Sequence, residues 1–214
     1  MNTTEQFPKI EDQQQKEILI KFKEYFPSGD IEEISSEDIP DFVMELFERK
    51  SQQFIDLKDY KPGDFERFFL IKHSDGSKTY IAQQTKTYST NKDTEMLVYF
   101  VDSLDEEVFG YSELRFNISN PSEYFKDKPF VGYTETYGIN KNTGKTNRKK
   151  GLGTRRLLVM NAFSNAFYAL PLYSDTLTEE ENAKPIWEKL MQQGKAKKIK
   201  EGENNRYVFS TDPE

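Results

Sequence analysis

The chain has 214 residues, 35% of them hydrophobic, with 17 Phe, 12 Tyr and a formal net charge of −7. That length suits one good-sized domain with an extension, and the aromatic side chains can fill its core. The negative balance argues against general nucleic-acid affinity, and the lack of cysteine excludes disulfides, thiolate catalysis and Cys-ligated zinc.

The single histidine, His73, lies in "KHSDGSK" and reads as a solvated turn residue, so no His-rich metal site is possible and no metal is expected. The start, "MNTTEQFPKIEDQQQ", lacks a basic patch followed by an apolar run, so no signal peptide is read there. No window holds about 18 apolar residues, so no membrane span is expected and the expected setting is cytoplasmic.

Residues 1–10 are polar. Residues 11–26 place Ile18, Leu19, Phe22, Tyr25 and Phe26 at helical spacing, and "PSG" ends that helix. We take residues 1–29 as a helical extension and 30–214 as the main domain. A short strand at Ile31–Ile34 leads to a helix with Ser35 or Ser36 near its cap and Pro40 in its first turn. Phe42, Val43, Leu46 and Phe47 form that helix's inner stripe. Residues 1–60 carry 15 Asp/Glu against 7 Lys/Arg. An acidic surface of this kind attracts a cationic partner or is simply solvated.

"RFFLIKHSDGSKTYIAQQTKTY" predicts a β-hairpin turning at Asp75-Gly76, and "EMLVYFVDSLDEEVFGYSELRFNIS" a second one turning near Asp102–Glu106. Val131–Ile139 is a further strand, giving a mostly antiparallel sheet. Gly153–Phe167 is a helix with a broad apolar face. Residues 168–177 ("YALPLYSDTL") predict a strand. "EENAKPIWEKLMQQGKAKKI" predicts a helix with Ile186, Trp187, Leu190 and Met191 inside, followed by the last strands.

The stretch "GINKNTGKTNRKKGLGTRR", residues 138–156, contains no acidic residue. Gly144-Lys145-Thr146 invites a P-loop assignment, but the spacing fails: the upstream glycine would fall at 139, where Ile139 stands. "NKNTGKTN" is better read as a polar turn. "RKKGLG" instead lies between a strand and the start of a helix, where free N–H groups and the positive dipole end bind anions. Gly151 and Gly153 allow the backbone to approach a ligand. Between Glu135 and Asp175 there are seven Lys/Arg and no Asp or Glu, a field that suits several phosphates.

Arg148-Lys149-Lys150-Gly151-Leu152-Gly153 resembles the (Q/R)-x-x-G-x-(G/A) signature of the GNAT superfamily of acyl-CoA N-acyltransferases. The resemblance implies a GNAT-like α/β fold, with a mixed, mostly antiparallel central sheet flanked by helices and here an extra N-terminal helix. It also implies acetyl-CoA as cosubstrate. Arg148, Lys149, Lys150, Gly151, Leu152, Gly153 and Thr154 would bind its pyrophosphate, with Ile139 closing the strand before the loop. The partner would be an amine-bearing acceptor, small molecule or protein, of an identity that the sequence does not give. Two departures stand out: the insertion "NKNTGKTN" lengthens the loop, and Trp187 stands where the family often has a tyrosine that protonates the departing thiolate. Indole cannot do that.

The acceptor amine must be deprotonated, and some acyltransferases use a carboxylate on a central strand for this, directly or through water. Glu135 is the first candidate and Glu113 the second; Tyr173, with Ser174 beside it, is the candidate acid. An acetyl-CoA-dependent N-acetyltransferase and a non-catalytic GNAT-like binding or accessory protein both remain open at this point.

Overall fold

The computed structural model describes residues 12–52, 65–87, 94–117, 128–137, 151–175, 183–201 and 204–210. Helix α1 (Asp12–Tyr25) leads to strand β1 (Gly29–Ile34) and helix α2 (Asp41–Gln52). Strands β2 (Arg67–His73), β3 (Lys78–Thr87), β4 (Thr94–Leu104), β5 (Glu107–Asn117) and β6 (Phe130–Thr136) follow. All six strands pair antiparallel with their sequence neighbours, in the order β1 to β6. Helices α3 (Leu152–Tyr168) and α4 (Lys184–Gln192) and the hairpin β7 (Ala196–Glu201)–β8 (Asn204–Phe209) complete the chain. The expected class holds: a mixed α/β arrangement with a mostly antiparallel sheet, flanking helices and an additional N-terminal helix.

Alternation along the strands sorts side chains onto two faces. Ile31, Phe69, Ile71, Ile81, Val98, Phe100 and Leu114 join α1, α3 and α4 in one core. Phe68, Leu70, Tyr80, Leu97, Tyr99 and Tyr111 join α2 in the other. Helix α1 packs into the first of these cores: Phe22 is buried against Phe163 and Phe167, edge-on at 5.6 and 6.2 Å.

Both hairpins turn where turn chemistry places them. At the first, Gly76 has a φ of 82°. At the second, Asp105 and Glu106 both take the left-handed conformation, at 51° and 62°, as a tight two-residue turn requires.

Several expectations need correction. His73 is not a solvated turn residue; it ends β2 with 8% exposure, because the turn begins one residue later. Pro40 precedes α2 rather than lying in its first turn. The entry there is a single 3-10 turn in which the Asp38 carboxylate accepts from the backbone and side chain of Ser35. Met191 is 37% exposed, so only Trp187 and Leu190 are fully buried on α4. The strand expected over 168–177 reduces, among the described residues, to one pairing position at Tyr173, since α3 runs on through Tyr168.

That position matters to the architecture. Tyr173 N donates to Pro129 O and Val131 N donates to Tyr173 O, both at 2.9 Å, in parallel with β6. On its other side Tyr173 lies antiparallel to Val208, so it links the two sheets. The path β6–α3–Tyr173 is therefore a βαβ crossover within an otherwise antiparallel fold.

Candidate functional site

Helix α3 starts immediately after Gly151, whose φ of 76° is left-handed and therefore suits glycine. Among the described residues no side chain caps this end, and its first turn holds no acidic residue. The leading N–H groups of Leu152, Gly153 and Thr154 have no intrahelical acceptor, and the helix dipole adds positive potential. Gly153 has a packing reason of its own: a Cβ there would lie 2.8 Å from Ile186 Cδ1 on α4. The remaining expected coenzyme contacts, Ile139, Arg148, Lys149 and Lys150, lie outside the described residues, as does the Gly144-Lys145-Thr146 turn.

Beneath this turn runs a buried polar chain that the sequence reading missed. Arg156, 1% exposed, donates from Nε to Asp102 Oδ2 at 2.6 Å, and Asp102 is equally buried. Its Nη1 donates to Glu135 O at 2.7 Å and lies within 3.5 Å of Ser112, Thr134 and Thr136 hydroxyls. Thr79 Oγ1 donates to Asp102 Oδ1 at 2.6 Å, and His73 Nε2 lies 2.8 Å from Thr79 Oγ1. Arg155 reaches out instead, to Asp75 Oδ2 and Ser77 Oγ, both at 2.9 Å. Burial alone would raise the Asp75 carboxyl, but hydrogen bonds from Ser77 and the Arg155 guanidinium outweigh it and bring Asp75 down to about 2. Two of the seven basic residues credited to the phosphate field are thus committed to internal partners. The signal was available: Arg156, Met160 and Phe163 recur at helical spacing, which puts Arg156 on the inner face.

The end of β6 opens toward this helix start. Tyr137 N donates to Phe109 O at 2.9 Å, so the backbone groups of residues 133, 135 and 137 face β5. Those of Thr134 and Thr136 accordingly face the outer edge. A bulge at Gly132, between the Glu113–Tyr133 and Leu114–Val131 pairs, re-aims this half of the strand. Among the described residues, the parallel pairing with the Tyr173 segment ends at Val131.

Glu135 lies on this half, half-buried, on the α2 face of the sheet, and accepts a hydrogen bond from Tyr133 at 3.2 Å. Glu113 is on the same face of β5 but only 1% exposed, held by the Tyr111 hydroxyl at 3.0 Å and Arg115 Nε at 2.5 Å. Burial and the Glu113 charge raise the Tyr111 phenol far above its ordinary range. Burial first, then the Glu135 charge, also raises Tyr137.

Tyr173 is paired with Phe130, five residues before Glu135 on β6. That is about 16 Å of strand at about 3.3 Å per residue. The fold does not bring these two candidates together. The Tyr173 ring instead faces Arg206 and Lys128, at 5.3 and 5.7 Å. Ser174 is buried and accepts from Tyr207 N at 3.0 Å, a packing role. Trp187 is buried as the apolar spacing predicts, stacked on Tyr207 at 5.8 Å.

Among the described residues no group of three or more His, Cys, Asp or Glu is placed to hold a metal ion. Nor is any described helix long and apolar enough to cross a membrane. Comparison with family models, with characterised proteins and with solved structures gives no match.

Proposed function

We propose that the chain is an acetyl-CoA-dependent N-acetyltransferase acting on an amine, in a cytoplasmic setting. One observation carries the reading: the β6–α3–Tyr173 crossover opens at a glycine-led helix start that, among the described residues, has no side-chain cap and lies beside an unpaired stretch of strand edge. Ligands of α/β units bind outside the carboxyl ends of parallel strands, where a helix N-terminus faces anions. The amides of Leu152, Gly153 and Thr154, with Arg148, Lys149 and Lys150, would hold a pyrophosphate. The outward amides of Thr134 and Thr136 would pair with the amide-bearing arm of coenzyme A, as an added strand pairs with an edge.

In this scheme Glu135 takes the acceptor's proton, the amine nitrogen attacks the thioester carbon, the C–N bond forms and the C–S bond breaks. A thiol with a pKa of about 8.5 leaves readily as thiolate and takes its proton from solvent, so no acid at Tyr173 or Trp187 is required.

A second reading, a coenzyme-binding protein without turnover, draws support from Trp187, whose place in the core leaves no hydroxyl on that helix face. Calorimetry with acetyl-CoA and thiol release over an amine panel separate the two. The acetyltransferase reading expects binding, salt-weakened, and release that falls about 100-fold in Glu135→Gln with affinity kept. Gly151→Val should abolish binding while Lys145→Ala leaves it intact. Tight binding without release on any amine supports the second reading, and no binding at millimolar coenzyme removes both.

A further inference from the structure

The α2 face of the sheet carries a cation already seated. Lys50, in the last turn of α2, places Nζ 4.8 Å from the centre of the Tyr111 ring and 5.2 Å from that of Tyr133. The two rings lie on adjacent strands, 5.9 Å apart and tilted by 44°. Each phenol donates to a carboxylate: Tyr111 to Glu113 at 3.0 Å, Tyr133 to Glu135 at 3.2 Å. Donation toward an anion polarises the ring and makes its face a better partner for a cation. The Glu113 charge is answered by Arg115. Glu135 has no ion-pair partner among the described residues, so its carboxylate can face an incoming ammonium.

We propose that Tyr111 and Tyr133 form a binding site for a primary alkylammonium ion, and that Lys50 fills it in the free protein as a tethered stand-in. Among the described residues the Lys50 ammonium has no carboxylate partner, and its stem is long and half-buried. Tyr133 is 41% exposed, so an external ammonium can reach the ring from solvent. A slender primary alkylammonium fits, because the site accommodates a lysine side chain. This rests on the acetyltransferase reading where it names the occupant as the acceptor. On that reading Lys50 competes with the substrate beside Glu135, the carboxylate that would deprotonate it.

The test is a titration of the full chain with pentylamine, with 1-pentanol as the neutral control, in the absence of coenzyme. Lys50→Met keeps the stem and removes the charge. Pentylammonium should bind Lys50→Met about tenfold more tightly than the native chain, within the range of a desolvated cation–π contact. Adding Tyr133→Leu should erase the gain, and pentanol should bind neither form. Equal pentylamine affinity in native and Lys50→Met protein overturns the proposal, and so does a gain that survives Tyr133→Leu. A second arm measures thiol release from acetyl-CoA with pentylamine. With both readings right, Lys50→Met lowers KM and leaves kcat unchanged. A titration gain without release on any amine keeps the cradle and removes the acetyltransferase. Release without a titration gain does the reverse.

Discussion

The two faces of the six-stranded sheet solve the same burial problem with different chemistry. Toward α3 the strands bury a charged pair, Arg156–Asp102, linked to Thr79 and His73 beside the apolar cluster. Toward α2 they bury Tyr80, Tyr99 and Tyr111, of which Tyr111 meets the Glu113 carboxylate, and the exposed Tyr133 meets Glu135 near the edge of the sheet. The first arrangement has few alternatives. A guanidinium that bonds Asp102 and Glu135 O, and reaches the hydroxyl side chains around them, fixes where α3 begins relative to β4, β5 and β6. The second can adjust, because a ring face accepts a cation over a range of positions. One face sets the place of the helix start that we assign to the coenzyme. The other offers an exchangeable surface to the amine.

The largest effect should come from breaking the charged pair. Arg156→Leu leaves the Asp102 carboxylate buried without its cation and should cost about 3–5 kcal/mol in urea unfolding. Asp102→Leu alone should cost a similar amount. The double variant Arg156→Met with Asp102→Leu should recover much of the loss, since apolar replacement of a buried pair is often neutral. Single costs below about 1 kcal/mol would mean that the pair is solvated and the contrast between the faces is wrong.

Gly110 sharpens the same point. A Cβ at this position would lie 1.6 Å from Arg156 Nη2 and 2.5 Å from Cζ. Guanidinium groups usually move aside, but this one is held on several sides. Gly110→Ala should therefore cost about 3 kcal/mol, the upper end for overpacking. In the Arg156→Met background the cost should shrink, which a double-mutant cycle would record.

On the α2 face the matching change is milder. Tyr111→Phe removes one donor from the buried Glu113 carboxylate but leaves Arg115 in place. The expected loss is about 2 kcal/mol, typical of a hydrogen bond to a charged group. A loss as large as that of Arg156→Leu would erase the distinction between a fixed face and an adjustable one.

Much of the fold was legible because its signals are local. The continuous apolar runs in "RFFLIKH" and "EMLVYFV", the Asp75-Gly76 turn and the spacing of Phe22 and Phe26 each specify their element without help from distant residues. Trp187 was legible as a core residue for the same reason. What the sequence hid is non-local. His73, Thr79, Asp102 and Arg156 meet only once β2, β3, β4 and α3 are assembled. His73 followed by "SDGS" reads as part of its turn, although the hairpin places it one residue inside the strand. Glu135 and Tyr173 looked compatible as a base and an acid, but parallel register sets them at opposite ends of β6.

The smallest effect expected is a pH dependence carried by the same buried chain. Thr79 has one hydroxyl proton and gives it to Asp102, so His73 must donate from Nε2 to Thr79. The neutral ring is therefore the Nε2–H tautomer, and a second proton would go to Nδ1. Burial disfavours that charge, and the nearby Arg155 guanidinium disfavours it further, against weaker help from Asp102 and Asp75. The folded-state pKa of His73 lies below the ordinary 6.5. Below 6.5 the unfolded chain binds a proton that the folded chain refuses, so stability falls as pH drops toward the folded value and is fully present above 6.5. Asp75 contributes in a separate window: its carboxyl stands at about 2, and the stability it lends above 3.8 is lost as pH falls from 3.8 toward 2. Urea unfolding at steps from about pH 7.5 to about pH 5 isolates the histidine. His73→Gln, which retains a donor for Thr79, should remove that part of the slope and leave the acid limb of Asp75 unchanged. An unchanged slope between these limits would mean that His73 is charged or solvated in the folded protein, and that the fixed face is less dry than its geometry implies.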